Sequence, residues 1–173
     1  MAGPIEIDVW QGEIAELEVD ALVVGASESL FMTAGPAASV KRHGGEEIER
    51  AAVDQGPIAP GEAVATRAGS LAAPYVIHAV AVGHDRRADP ARLSAAVQSA
   101  LALCEPLQLH RIAMALLGVE HGAFSARDAA EIVVRTLRDE APATPLESVV
   151  IAASHAPEAQ AVAEALARHR IGV

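Results

Sequence analysis

Short apolar runs without a charged residue recur along this chain, and stretches with a helical spacing of apolar residues separate most of them. The clearest runs are residues 21–24, 112–117 and 149–153. Runs of this length are typical of strands that are covered on both faces, as in a parallel sheet. Helical spacing extends over residues 35–55 and 90–104. This alternation predicts an α/β fold of mainly parallel βαβ units, with helices on both sides of one sheet.

Weaker patterns complete the predicted order of elements. The remaining predicted elements are strands at residues 5–9, 62–66 and 75–82, a helix that begins after Ser125, and a last helix at residues 157–169. Ser125 and Asp128 have the spacing of a capping box, with Asp in place of Glu. Asp89 followed by Pro90 predicts the start of the helix over residues 90–104.

The composition indicates one domain, spanning residues 1–173, with an aliphatic core. Hydrophobic residues make up 51% of the chain and aromatic residues only 2%, so Ala, Val, Leu and Ile must fill the interior. A chain of this length buries about 70% of its unfolded surface, and it therefore needs no disulfide or metal to hold its fold. The single cysteine excludes an intrachain disulfide. No linker rich in Gly, Ser or Pro is long enough to divide the chain.

Charge and hydropathy restrict the classes of partner. The chain has 13 basic and 23 acidic residues, for a net charge of −10. This balance disfavours a nucleic-acid surface, because such surfaces bind phosphates through cationic side chains. No uncharged apolar run reaches about 18 residues, and the start of the chain lacks the regions of a signal peptide. We therefore expect a cytoplasmic protein with neither nucleic-acid nor membrane partners.

Standard motifs for cofactors and metals are missing from the sequence. There is no GxxxxGK[ST] or GxGxxG segment, no HExxH segment and no pair of cysteines. The sequence therefore predicts no cofactor and no metal site. Cys104 lies on the inner face of a predicted helix, which favours an inert buried thiol. His78 lies within a predicted strand and is interpreted as a hydrogen-bonded core histidine.

Three loops that follow predicted strands form the candidate site. They comprise residues 25–29, 31–36 and 118–124. In such sheets, ligands bind beyond the carboxyl ends of the strands. The second loop enters a helix N-terminus, where free amides and the helix dipole favour an anion. Phe31 and Phe124 lie in these loops, either as caps of the core or as contacts to a base or ribose.

Several segments resemble, in order and at matching spacing, the motifs of one known family. Residues 19–27 resemble Val-Asp-Ala-Ile-Val-Asn-Ala-Ala-Asn, and residues 61–66 resemble Gly-Glu-Ala-x-x-Thr. Residues 75–78 read Tyr-Val-Ile-His, residues 12–14 resemble Gly-Asp-Ile, and residues 117–124 fall on a loop of the form Gly-Thr-Gly-x-x-Gly. On these segments the chain resembles the macrodomain family, whose members are ADP-ribose-binding modules. The resemblance implies a three-layer α/β/α sandwich with a mixed, mainly parallel central sheet.

The resemblance also implies how a nucleotide would lie. Glu13 and Ile14 would hold the adenine, Gly35 and the loop of residues 118–124 would hold the diphosphate, and Phe124 would pack against the distal ribose. The complete predicted ligand-binding set is Glu13, Ile14, Ser27, Thr33, Ala34, Gly35, Pro36, Gly118, Val119, Glu120, His121, Gly122, Ala123 and Phe124.

Departures from the family pattern fall mainly on these binding positions. Val24 and Ser27 replace two asparagines, and Ala37 replaces an Asp found in some hydrolytic members. Pro36 has no N–H to offer a phosphate. Glu120 places a carboxylate where glycine normally lets amides approach the diphosphate. The sequence thus predicts a degenerate site with weakened affinity.

Three functions are compatible with this pattern. The first is a macrodomain-type module that binds ADP-ribose or a related adenine nucleotide weakly. The second is an ADP-ribose-processing hydrolase, acting on mono-ADP-ribosyl groups or the O-acetyl-ADP-ribose ester. In it, Ser27 would orient a water molecule and Glu28 or His121 would activate it. The third is a scaffold that has lost nucleotide binding. We favour the first, because the asparagine that resembles a catalytic residue is missing.

Overall fold

The computed structural model describes residues 5–170, and within that range it contains one sheet of six strands. The strands are β1 (Glu6–Gln11), β2 (Ala21–Gly25), β3 (Ala63–Arg67), β4 (Tyr75–Ala79), β5 (Arg111–Ala115) and β6 (Ser148–Ala153). Their order across the sheet is β1-β6-β5-β2-β4-β3. Only the β3–β4 pair is antiparallel among these strands. The predicted mixed, mainly parallel sheet is confirmed.

Five α-helices lie in the same described range. They are α1 (Gly35–Gly44), α2 (Glu46–Val53), α3 (Pro90–Ala102), α4 (Ala126–Glu140) and α5 (Ala156–Arg168). None of them is both long and apolar enough to cross a membrane. Residues 1–4 and 171–173 of the predicted domain lie outside the described residues.

The prediction of a single helix over residues 35–55 is wrong, because this segment forms two helices, α1 and α2, divided at Gly45. Gly45 has φ +114°, a conformation outside the helical region that glycine adopts without steric cost. The carbonyl of Gly44 accepts a hydrogen bond from the Ser70 amide at 3.0 Å. This contact with a distant loop turns the chain out of the helix.

Helices cover both faces of the sheet, which gives three layers. On β2, Leu22 and Val24 pack in one cluster with α1 and α2, whereas Val23 packs in the other cluster with α3, α4 and α5. Residues 21–24 are all fully buried. The lack of charge in residues 21–24 is therefore explained by burial of both faces of β2, because a side chain on either face packs against a helix.

Local signals in the sequence also correspond to observed contacts. The carboxylate of Asp89 accepts the Ala91 amide at the start of α3, and Ser125 Oγ accepts the Asp128 amide at 3.1 Å at the start of α4. Cys104 is buried, and burial raises the pKa of its thiol to about 12. An uncharged thiol with such a pKa is inert at neutral pH, as predicted.

Candidate functional site

The candidate site lies where several parallel strands end at the same edge of the sheet. Gly25 at the end of β2, Ala115 at the end of β5 and Ser154 just after β6 all line one cavity of about 300 Å³. The first turn of α1 closes another side of this cavity, which we call the main cavity. Parallel strands make such a cavity possible because their carboxyl ends, and the loops that follow, converge.

All three predicted loops meet in the main cavity. The predicted residues that line it are Ser27, Thr33, Ala34, Gly35, Pro36, Val119, Glu120 and His121. Ser154, His155 and Glu158 also line it and were missed by the sequence reasoning. The available signal was their position directly after the last predicted strand, but nothing in their composition marks them.

A second cavity of about 250 Å³ adjoins the first and is lined by Glu13 and Ile14. The two cavities share four lining residues, which are Gly35, Pro36, Ser154 and His155. Ser39 Oγ donates a hydrogen bond to Glu13 Oε2, which fixes the carboxylate at the cavity wall. The pair of cavities therefore offers adjoining spaces for a ligand with two parts, separated by the N-terminus of α1.

Other predicted residues lie elsewhere. Gly118, Gly122, Ala123 and Phe124 are not among the residues that line these two cavities. Phe124 is only 8% exposed and packs in the hydrophobic core, so it caps the core rather than facing the main cavity. Phe31 is 52% exposed and lines the main cavity. The aromatic side chain available to a ligand is thus Phe31.

The loop before α1 is held in place by a carboxylate from α2. Glu49 Oε2 accepts the Met32 amide at 2.7 Å, and the Lys41 ammonium lies 3.1 Å from the same oxygen. The Met32 N–H lowers the pKa of the Glu49 carboxyl, burial opposes this, and Lys41 lowers it further. Gly35 then adopts φ +60°, and Pro36 occupies the first turn of α1. The charged Glu49 therefore positions the loop that borders the main cavity.

The side chain of Glu120 turns inward under its own loop. Its Oε2 accepts the Gly118 amide at 2.6 Å, while its Oε1 is shielded from solvent and has no hydrogen-bond partner. Burial raises the pKa of this carboxyl, the amides of Glu120 and Gly118 partly offset the effect, and the charge of Glu158 raises it again. Oε1 rests on Gly25, where a Cβ would lie only 1.8 Å from it.

The three predicted catalytic side chains do not form a relay. Ser27 Oγ is hydrogen-bonded to Ser29 Oγ at 3.1 Å, and Glu28 Oε2 accepts the His84 amide at 2.7 Å. Glu28 does not line the main cavity. His121 lines it with φ +56°. Ser27 and His121 both line the main cavity, and no hydrogen bond found among residues 5–170 joins them to each other or to Glu28.

The sequence of this chain matches a family model and several known proteins. The model of the family described as "Macro domain" matches residues 23–133, which is more than half of the chain. An uncharacterised protein of Pyrobaculum aerophilum is 35% identical over 148 residues, covering 82% of this chain and 79% of that protein. A macro domain-containing protein of Cupriavidus necator is 35% identical over 146 residues, covering 80% of this chain and 84% of that protein.

Some relatives are much longer than the region of similarity. An uncharacterised protein of Mycobacterium tuberculosis is 34% identical over 148 residues, which are 86% of this chain but 41% of that protein. The chain thus spans about two fifths of the length of this relative.

Solved structures from two organisms have the same fold. The Trypanosoma brucei macrodomain in complex with ADP-ribose has a TM-score of 0.86 and 21% identity, covering 93% of this chain and 69% of that one. The Oceanobacillus iheyensis macrodomain with ADP has a TM-score of 0.85 and 18% identity, covering 97% and 95%. The fold and the family model agree, and the chain belongs to the macrodomain family.

Proposed function

We propose that this chain binds ADP-ribose or a related adenine nucleotide in the two adjoining cavities. The observation that carries the proposal is the pair of cavities on either side of the α1 N-terminus, which share four residues. ADP-ribose has an adenosine part and a second ribose joined by a diphosphate, and the helix N-terminus favours an anion at the junction. The Trypanosoma brucei structure, a complex with ADP-ribose, supports this ligand class.

Each part of the nucleotide has a matching group in the cavities. In the second cavity, the Glu13 carboxylate would accept a hydrogen bond from the adenine amino group, with apolar contact from Ile14. The diphosphate would lie against the first turn of α1, next to Gly35. Phe31 would pack on the distal ribose, since its exposed ring borders the main cavity. This last contact replaces the one assigned to Phe124 from the sequence.

We propose further that the chain binds this nucleotide more weakly than a site that has an amide in place of Pro36 and no carboxylate at position 120. Pro36 removes one amide from the first turn of α1, and a lost hydrogen bond to a charged partner costs about 1.5–3 kcal/mol. The Gly118 amide is already taken by Glu120, a residue that also lines the main cavity. A carboxylate at roughly 6 Å from a phosphate repels it by about 3 kcal/mol at an effective dielectric constant near 20. Together these effects move a micromolar Kd to about millimolar.

Titration calorimetry with ADP-ribose up to millimolar concentration tests the proposal. We expect saturable binding to one site, weaker binding of AMP, and the weakest binding of ribose 5-phosphate, which lacks the adenine. Glu13→Ala should weaken ADP-ribose binding about tenfold by removing one charged hydrogen-bond acceptor. Glu16→Ala is the matched control, because Glu16 is exposed one turn away and lines neither cavity. No binding by the folded protein would overturn the proposal.

A further inference from the structure

The carboxylate that lines the second cavity is held by a side chain from another element. Ser39, on α1, is only 4% exposed, and its Oγ donates a hydrogen bond to Glu13 Oε2 at 2.5 Å. Both residues line the second cavity. Glu13 itself is exposed, and its Oε1 takes part in none of the hydrogen bonds found among residues 5–170. One carboxylate oxygen is thus fixed by the protein, while the other is available to a ligand.

The side chain of Glu13 does not cap the turn that follows it. Glu13 precedes the 3₁₀ helix Ile14–Glu16 with an extended backbone, φ −81° and ψ 115°, and it makes no capping hydrogen bond. An acidic side chain at such a position commonly accepts an amide of the following turn. Arg42 lines the same cavity, but no ion pair joins it to Glu13 in the described part of the chain. The contact that directs the Glu13 carboxylate is therefore the one with Ser39.

The position of Ser39 on α1 makes this contact possible. The helix α1 packs against the 3₁₀ helix Ile14–Glu16. Gly35, Ser39 and Arg42 lie on one face of α1, the face that lines the second cavity. In a helix interior, a serine hydroxyl often bonds back to a carbonyl of the preceding turn, but Ser39 Oγ bonds to Glu13. Because Ser39 is buried, water competes little for its hydroxyl.

A carboxylate held in one place discriminates between bases better than a mobile one. Carboxylate oxygens only accept hydrogen bonds, and the amino group of adenine donates one. Hypoxanthine has a carbonyl oxygen at the same position of the ring, so it would face Glu13 Oε1 with two acceptors and no donor between them. A glutamate side chain that is free to rotate can turn away from that carbonyl, and it must lose rotational freedom to bind the amino group. Fixing the carboxylate therefore favours adenine in two ways.

We propose that Ser39 is a positioning residue that gives the second cavity its preference for a base with an amino group. Ser39 acts through Glu13 rather than on the base, because it holds Oε2 and leaves Oε1 for the ligand. The inference rests on the proposed function, since it requires the base to lie beside Glu13. It extends that function from a class of ligand to the residue that sets base selectivity.

The test compares ADP-ribose with its hypoxanthine analogue, in which a carbonyl replaces the amino group of the base. NMR titration measures both dissociation constants, because it remains quantitative at millimolar affinity. Wild type should bind ADP-ribose at least about tenfold more tightly than the analogue. In Ser39→Ala, ADP-ribose should bind about three- to tenfold more weakly, which is the cost of ordering one glutamate side chain. The analogue should bind to Ser39→Ala as well as to wild type or more tightly, so the ratio of the two constants should fall.

Two further variants separate positioning from packing. Alanine favours a helix, so Ser39→Ala should fold. Ser94→Ala makes the same change on α3, at a serine that lines neither cavity and accepts a hydrogen bond from Thr136, and it should leave both dissociation constants unchanged. In a Glu13→Ala background, Ser39→Ala should no longer alter the ratio of the two constants, because no carboxylate is left to position.

The outcomes distinguish this inference from the proposed function. If ADP-ribose binds and Ser39→Ala keeps the wild-type ratio, even with both ligands bound more weakly, the role of Ser39 is structural only, and the inference is refuted while the proposed function stands. If Ser39→Ala lowers the ratio equally in the Glu13→Ala background, Ser39 does not act through Glu13 and the inference is again refuted. If the folded wild type binds neither ligand, both proposals fail.

Discussion

The buried histidine of β4 makes the stability of this protein depend on pH in a calculable way. His78 is fully buried, its Nε2 lies 3.0 Å from Thr66 Oγ1, and its Nδ1 has no hydrogen-bond partner. Burial lowers the pKa of His78 from 6.5 to about 4. The unfolded chain therefore binds this proton more readily than the folded protein does, so acid favours unfolding.

The sign and size of the effect follow from these two pKa values. Neutral His78 contributes fully to stability above pH 6.5, and the contribution is lost as the pH falls toward 4. One pH unit between the two pKa values corresponds to 1.36 kcal/mol, so the complete loss is about 3 kcal/mol. A loss of that size is a large fraction of the 5–15 kcal/mol that stabilises a typical domain.

Urea unfolding at intervals from pH 7.5 to pH 4.0 measures this contribution. His78→Asn cannot be protonated in this range, so its free energy of unfolding should fall by about 3 kcal/mol less than that of wild type. The difference between the two proteins is the relevant quantity, because Glu120 has a raised pKa and opposes the trend in part of the same range. His110→Asn, at an exposed position, is the matched control and should follow wild type.

Equal pH dependence in wild type and His78→Asn would refute the reasoning. It would mean that the His78 ring can be protonated in the folded protein, because Nδ1 then finds a hydrogen-bond acceptor. A loss of stability in His78→Asn that is the same at every pH is one form of this result, and it would reflect packing alone. The acid sensitivity of the fold would then lie in other groups.

Two further perturbations test the contacts around the site. Glu49→Gln should weaken ADP-ribose binding several-fold in a calorimetric titration, because a neutral amide holds the Met32 N–H less strongly; the exposed Glu46→Gln should not. Unchanged affinity would mean that the loop keeps its position without the charge. Gly25→Ala should lower the free energy of unfolding by about 1–3 kcal/mol, since the new Cβ would collide with Glu120 Oε1. In a Glu120→Ala background, the same substitution should leave the free energy of unfolding nearly unchanged. Equal losses in both backgrounds would contradict the inward position of Glu120.

The sequence indicated the layers of the fold because strand burial leaves a local signature. Residues 21–24 carry no charge, since side chains on either face of β2 would enter a core. The capping roles of Asp89 and Ser125 were equally predictable, because a cap needs only its own first helical turn. The position of the candidate site followed from chain order, since loops after parallel strands gather at one edge.

Long-range contacts decided what the sequence left open. Gly45 divides the predicted helix at the point where the Ser70 amide, from a loop about 25 residues later, donates to the carbonyl of Gly44. Phe31 and Phe124 occupy similar loops, and only packing separates the exposed ring from the core ring. Chain order did not indicate that β6 would pair between β1 and β5 and bring Ser154 to the cavity.

Glu120 shows most clearly where sequence reasoning ends. Its position after the fifth strand marked it as a carboxylate in a binding loop. Whether it repels a ligand from the surface or turns under the loop depends on the space above Gly25 and on the Gly118 amide. The Gly118 amide is two residues away in the same loop, but Gly25 ends β2 and Glu120 follows β5, so the space above Gly25 exists only when the sheet is assembled. Residue type and spacing therefore determined which chemistry is present, while tertiary packing decided its direction, burial and charge.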